Sequence, residues 1–484
     1  MGSSPWCLEY STAAGVCSGP SRRRELTEPI ERACYWLAHR PPRDHQALES
    51  RVEADVAVVG AGLTGLWTAL FLRELDPRAE VVVLEREIAA YGASGRNAGM
   101  LSETVDHGHG LAIQHFGETE ARRLAALGER NVEEMVGWLD ARGIDCEYEP
   151  TGRLLAALTA AQVEEGRRAV ATARRLGLEG HEWLDRNRFR ERIDSALYLG
   201  GVRVRGGGIL DPVKLVDGLR QEAERRGVRV YERSGVEKLR SAGAGVELET
   251  KAGTVRARRA LLATSAYTHG LLPSVLRRFI PLYDYILVSE PLTGAQRAAI
   301  GWRGREGVTD GRNFFNYYRL TRDDRILWGT SEAAYFPGNR VAVECDHSQP
   351  HYTALRASFR RHFPALASLE FPYAWGGPIC STTRLTPFFG SALGGRVHYG
   401  LGYTGHGLGT TRLAGRILAH LALDRRTDLL DLALVRRRPL PFPPEPLRSW
   451  AVAGVTRALR RVDSGESPSL LLRLLDRLGI GFSS

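Results

Sequence analysis

Asp55-Val56-Ala57-Val58-Val59 is a short apolar, largely β-branched run that ends on glycine, the pattern of a parallel strand buried on both faces. Leu63 to Leu75 follows with apolar residues at helical spacing, and Val81-Val82-Val83-Leu84 repeats the strand pattern. The three make one βαβ unit, whose right-handed crossover sets its strands side by side. Helical periodicity recurs over 118–142, 160–176 and 212–226, the last opened by Asp211-Pro212, a capping residue and a first-turn proline. Gly227 to Tyr231 and Gly245 to Glu249 alternate as half-buried strands, and Ala260 to Thr264 reads as another buried strand. Strand-like segments dominate 280–335, with aromatic alternation over Asn313-Phe314-Phe315-Asn316-Tyr317-Tyr318, which fits a separate antiparallel sheet. Pro439 to Pro446 holds five prolines and predicts an extended linker, followed by two short amphipathic helices. Residues 1 to about 50, rich in Ser, Pro and Arg, read as a flexible extension with one ordered patch around Cys34 to Leu37. No internal repeat is visible.

Gly60-Ala61-Gly62-Leu63-Thr64-Gly65 sits between the first strand and its helix. Gly60 permits the tight turn, Gly62 lets the backbone approach a pyrophosphate, and Gly65 lets the helix pack closely on the strand. The helix N-terminus then offers unpaired amides and the positive end of its dipole. Glu85 closes the second strand, twenty residues past Gly65, where an acid accepts hydrogen bonds from ribose hydroxyls and repels a 2′-phosphate. This context turns a weak motif into a dinucleotide site and disfavours NADP. Two further segments separate FAD from NAD. Tyr91-Gly92-Ala93-Ser94-Gly95-Arg96-Asn97-Ala98-Gly99-Met100 supplies small residues with one Arg and one Asn to wrap a second phosphate and a flavin edge. Gly400 to Gly409 is a second glycine-rich turn opening a helix from about 410 to 423, whose dipole would face charge developing on a reduced flavin.

Composition changes this picture little. With 484 residues the chain has room for two or three domains, and 43% hydrophobic with 25% charged residues is the balance of an ordinary globular protein. No apolar run approaches the roughly 20 residues needed to span a bilayer, and Met1 to Pro20 does not read as a secretory signal, so the cytoplasm is expected. Cys7, Cys17, Cys34, Cys146, Cys345 and Cys380 are scattered, without a CxxC pair, and read as free thiols; no metal site is expected. The net charge of +10 raises nucleic acid as a partner, but the basic residues are nearly all Arg and are spread along the chain, with Lys only at Lys214, Lys238 and Lys251. No nucleic acid partner is expected.

These segments resemble the D-amino acid oxidase and glycine oxidase superfamily of FAD-dependent oxidoreductases. Gly60 to Gly65, Glu85, Gly92 to Gly99, Ala263 to Thr268, Tyr318-Arg319 through Gly329, Trp375-Gly376-Gly377 through Gly390 and Gly402-Tyr403-Thr404-Gly405-His406-Gly407 match its pattern in order, over roughly residues 50 to 425. The nearest flavour is the γ-glutamylputrescine oxidase-like branch. The resemblance implies an α/β fold: a Rossmann-type FAD-binding domain (51–140, 206–268 and 376–425) with a discontinuous α+β substrate domain on a mostly antiparallel sheet (141–205 and 269–375). Residues 1–50 form the extension and 426–484 the linker and tail. It implies FAD held by Gly60, Ala61, Gly62, Leu63, Thr64, Gly65, Glu85, Arg86, Gly92, Ala93, Ser94, Arg96, Asn97, Ala98, Gly99, Met100, Val236, Thr264, Ser265, Gly402, Tyr403, Gly405, His406, Gly407, Leu408 and Gly409. It further implies hydride transfer from the carbon beside a neutral amine to flavin N5, with dioxygen or an electron carrier as partner.

Two departures sharpen the expectation. Family members that act on amino acids place an Arg shortly after the Trp-x-Gly segment to grip a carboxylate. Here Pro378-Ile379-Cys380 follow instead, which shifts the substrate toward a small-molecule amine or N-substituted compound; Tyr318, Arg319, Trp375 and Arg384 are the substrate-site candidates, with Arg319 or Arg384 able to replace the clamp. Tyr317, Tyr318 and Trp375 are candidates for an aromatic cage around a cationic amine. Relatives that bind flavin covalently use a Cys about three positions from Cys380 or a His near the position of Met100, with His107 and His109 lying beyond it, so non-covalent FAD is expected. His109 reads as solvated surface and His406 as a turn residue touching the flavin. Alternatives keep the flavin but pass electrons to a quinone or carrier protein, make the chain an RNA-modifying or RNA-binding flavoprotein, or make it an inactive flavin-bound subunit.

Overall fold

The computed structural model describes residues 28–105, 108–477 and 480. Two eight-stranded sheets organise it. In the first, Val397–Leu401, Thr254–Leu262, Arg51–Val59, Val81–Leu84 and Arg229–Tyr231 run parallel in that spatial order. Val56 to Val59 and Val81 to Leu84 are buried on both faces, as their unbroken apolar runs require. Phe388–Ala392 joins one edge antiparallel, and the hairpin Val236–Ala242 with Gly245–Thr250 folds onto Thr254–Leu262. Helices Leu63–Leu75, Pro212–Arg225 and Gly407–Ala422 cover the sheet. Asp211 caps the second of these through Val213 N and Lys214 N, at 2.8 and 3.0 Å. The C-terminal helix of this layer starts at Gly407, three residues earlier than its apolar spacing predicts, because the glycines of its first turn carry no periodic signal.

The second sheet runs Tyr373–Ser381, Ile280–Pro291, Arg325–Tyr335, Asn316–Leu320, Gly307–Asp310, Arg153–Ala157, Gly200–Val204 and His181–Asp185. It is antiparallel except where Gly307–Asp310 meets Arg153–Ala157. The boundary expected between 375 and 376 cuts through its first strand, which stays in this sheet as far as Ser381, paired with Ile280. Helix Gln349–His362 packs on one face with Tyr283, Tyr285, Leu287, Tyr318 and Trp328. Alternation sends Leu282, Asp284, Ile286 and Tyr317 to the other face, where they line a cavity.

The expected patch at Cys34 to Leu37 is buried, with Trp36 Nε1 donating to Asn97 O at 2.9 Å. The segment after it is fixed rather than flexible: Arg40 Nε donates to Asp217 at 2.9 Å, and Arg43 and His45 both pair with buried Glu232. Residues 1–27, with Cys7, Cys17 and Arg22 to Arg24, lie outside the described residues. After the proline segment, helices Leu447–Asp463 and Leu470–Arg477 close the described chain. Among the described residues, no helix is long and apolar enough to cross a membrane.

Candidate active site

A single cavity of about 1610 Å³ lies between the two sheets, larger than the roughly 300–1,000 Å³ usual for one small ligand. Its walls bring together segments more than 300 residues apart. Gly60, Gly62, Leu63 and Thr64 enter from the first turn, Glu85 and Arg86 from the end of the second strand, and Gly92, Ala93, Ser94, Arg96, Asn97, Ala98 and Met100 from the next segment. Val236, Thr264 and Ser265 line the same space, as do Tyr403, Gly405, His406, Gly407, Leu408 and Gly409. Ala61, Gly65, Gly99 and Gly402 stand behind this surface. A side chain at Gly65 would put its Cβ 1.8 Å from Gly60 O, so this glycine serves helix–strand packing. Gly60 has φ +106°, and Gly99 and Gly402 also have positive φ with backbone or side-chain atoms where a Cβ would be.

Local chemistry fits a dinucleotide. Glu85 accepts from Ala61 N at 2.8 Å and Glu87 N at 3.0 Å, which orients it across the turn; burial pushes its pKa up while those two amides pull it down. Its two oxygens retain acceptor capacity for ribose hydroxyls. Ser94 Oγ accepts from Leu63 N at 2.9 Å and lies 2.7 Å from where a Gly62 Cβ would be, so the two phosphate-binding candidates touch. Arg96, 3% exposed, donates to Tyr91 O at 2.7 Å and pairs with Asp346 at 2.8 Å. Its Nη2 is buried with no hydrogen-bond partner among the described residues, an unmet donor on the cavity wall. Helix Gly407–Ala422 begins with no capping hydrogen bond from the His406 side chain, leaving its first turn to face the cavity.

The substrate candidates separate. Trp375 lines the cavity, fully buried, with Nε1 donating to Arg96 O at 3.0 Å. Tyr318 does not: strand alternation turns it to the opposite face, where its hydroxyl bonds Tyr198 and its ring stacks on Trp328 at 4.4 Å. Arg319 is also corrected, since its buried guanidinium is spent on the carbonyls of Gly99 at 2.9 Å and Leu210 at 2.6 Å. Arg384 binds Thr386 Oγ1 at 2.6 Å and the carbonyls of Pro387 and Arg437, away from the cavity, beneath the tail segment. Neither arginine is placed to grip a substrate carboxylate.

Asp284, unmarked by any motif, lies on the cavity wall of the second sheet beside Tyr317, whose hydroxyl donates to it at 2.5 Å. Its other oxygen accepts from Tyr285 N at 2.7 Å, and no cation pairs with it among the described residues. Burial pushes its pKa up to about 7, against the lowering by Tyr317 and the amide. The signal in the sequence was a single acid between two aromatic residues inside an apolar strand, a costly placement without a purpose. The arginines on the same walls each have a partner, Arg153 with Glu103, Arg312 with Asp310, Arg96 with Asp346, Arg86 with Glu87, and Arg448 with Asn339 and Pro443 O, and Arg96 keeps its Nη2 unmet.

Cys380 lines the cavity, and burial pushes its thiol well above the ordinary range, which opposes thiolate attack. His107 lies outside the described residues. His109 is partly buried rather than solvated: its ring lies 5.6 Å from that of His181, and burial followed by the neighbouring charge lowers its pKa to about 4. With Glu103 these histidines form a group whose possible ligand atoms lie within 4.8 Å of one another, brought together from separate segments and so invisible as spacing. Arg153 Nη2 already holds both oxygens of Glu103, at 3.0 and 3.1 Å.

Comparison with known proteins follows the same outline. A probable oxidoreductase OrdL of Rhizobium meliloti is 30% identical over 378 residues, covering 78% of this chain and 85% of its own. The gamma-glutamylputrescine oxidoreductase of Escherichia coli is 30% identical over 375 residues, covering 77% and 84%. In fold, the chain is similar to glycine oxidase from Geobacillus kaustophilus, with TM-score 0.64, 22% identity and coverage of 80% and 99%. L-proline dehydrogenase from P. horikoshii gives 0.65, 16%, 78% and 96%. The family model described as FAD dependent oxidoreductase matches residues 55–421, the span that holds both glycine turns, the acid between them and both sheets. By that match, the chain is a member of the FAD dependent oxidoreductase family.

Proposed function

We propose that this protein oxidises the C–N bond of an amine or N-substituted amino compound, with FAD held non-covalently and dioxygen as acceptor. The observation that carries the substrate reading is Asp284: a half-buried carboxyl on the cavity wall, without a cationic partner among the described residues. A charge so placed favours a substrate that brings a positive group. FAD, when bound, supplies the two-electron acceptor. The protein's own part is binding and proton handling. The Asp284 carboxylate accepts the ammonium proton, leaving the neutral amine whose lone pair assists loss of hydride from the adjoining carbon. Tyr317 Oη holds that carboxyl in place, and Trp375, locked by its bond to Arg96 O, fixes the shape of the wall. The E. coli relative named for gamma-glutamylputrescine agrees with an amine as the oxidised group, on a compound whose other end is a charged amino acid.

The test is anaerobic reduction of the purified yellow protein by amines, N-methyl amino acids and D-amino acids, followed by peroxide measurement in air. Rapid bleaching by amines with stoichiometric peroxide is expected. Bleaching by glycine or D-alanine alone would overturn the substrate reading, and bleaching without peroxide would point to a quinone or carrier protein as acceptor.

A further inference from the structure

The family match ends at residue 421, yet the cavity does not. Ala451, Val452, Val455, Thr456, Leu459 and Asp463 of the helix Leu447–Asp463 line it, spaced at three and four residues on one helical face. Contacts fix which end they line. The Asp463 carboxylate accepts from Asn313 N and Asn313 Nδ2, both at 2.8 Å, and from Phe314 N at 2.9 Å. The Phe315 ring then lies 6.3 Å from that of Tyr317, which bonds Asp284. Arg460 pairs with Glu332 at 2.6 Å, next to Ser331 and Ala333 on the cavity wall, and Glu445 accepts from Tyr335 Oη. The tail therefore covers the face of the second sheet that carries Asp284.

We propose that this helix is the far wall of the amine site, and that the substrate is a monoamine carrying an apolar body; the inference rests on the amine reading above. The polar side chains around this wall are bound to one another: Asp463 with Asn313, Arg312 with Asp310 and Asn316, Arg460 with Glu332. Phe314, Phe315, Val452, Val455 and Leu459 give this wall its apolar lining, with Thr456 the one hydroxyl on the same helical face. An ammonium at Asp284 thus continues into an apolar enclosure. A second charged group at the other end of the substrate would have to leave water for a wall whose helical face is largely apolar. Val455 and Leu459 set the length and girth accepted.

The holoenzyme is titrated anaerobically with linear and arylalkyl monoamines and with diamines of equal length. Monoamines should reduce the flavin with kcat/KM at least about tenfold above the matching diamines. Leu459→Ala should raise KM for the longest monoamine about tenfold more than KM for short monoamines, with the flavin absorption spectrum showing that the cofactor stays bound. Val455→Asp should move the preference toward diamines. Diamines that outperform monoamines in the unaltered protein would overturn the apolar enclosure and leave amine oxidation standing. Flavin that no amine reduces would overturn both. Equal effects of Leu459→Ala on short and long monoamines would show that the helix acts on stability rather than on selection.

Discussion

Desolvation pushes the Asp284 carboxyl up to about 7, so its charge changes around neutral pH. In amine oxidation, kcat/KM should rise as pH increases through about 7, when the carboxylate forms. Asp284→Asn should remove that limb and lower the plateau by about 10²–10⁴-fold, as read from stopped-flow flavin reduction across pH. Stability moves the opposite way. The folded pKa lies above the unfolded one, so the folded state keeps a proton that the unfolded chain releases. The contribution of Asp284 to stability is therefore full below about pH 4 and is lost as pH rises through about 7. Arg319 gives a contrasting case. Arg319→Ala strands the carbonyls of Gly99 and Leu210, and should cost about 2–4 kcal/mol in denaturant unfolding with little change in KM for the amine. A raised KM with unchanged stability would restore it to the substrate site. The two neighbours Tyr317 and Tyr318 show what was illegible at this scale. Alternation says that they face opposite ways, but only the position of helix Gln349–His362 decides which of them meets the cavity.

At the scale of elements, the first glycine turn makes a graded set of demands. Gly65→Ala places a Cβ 1.8 Å from a backbone oxygen in a rigid strand–helix joint, and should cost about 3 kcal/mol or more and lower flavin occupancy. Gly405→Ala meets open space and is strained only through its φ of +85°, so a loss of about 1–2 kcal/mol is expected. Thermal melts and flavin-to-protein absorbance ratios of the two variants check the order, and equal losses would contradict it. The βαβ unit, the amphipathic helices and both glycine turns were legible because local spacing and backbone conformation specify them. Strand Tyr373–Ser381 was not divided correctly, because membership of a sheet is settled by a partner, Ile280–Pro291, about ninety residues away. The histidines at 109 and 181 gave no usable spacing for the same reason.

For the whole molecule, the tail is the element whose role the linear pattern left open. Its pattern is amphipathic, and the apolar side of such a helix does not identify what it covers. Three hydrogen bonds to Asp463 pin its end to the second sheet. Asp463→Ala should speed amide hydrogen exchange over 447–463 by about tenfold or more while exchange in Val56 to Val59 stays unchanged. Uniform exchange changes across the chain would mean that the tail is part of the global fold rather than a separately opening segment.

One joint limits how this molecule admits a guest. Arg96 belongs to the segment after the first βαβ unit, yet its backbone oxygen is held by Trp375 and its guanidinium by Gly376 O and Asp346, all from the far side of the cavity. A buried charge clasped from both sides acts as a rivet, and swinging the two layers apart like jaws would leave it stranded. The tail helix, which lines the chamber and is held at its end by Asp463, is the other wall, so the rate at which bulky molecules come and go is expected to follow its loosening rather than any flexing of the two layers.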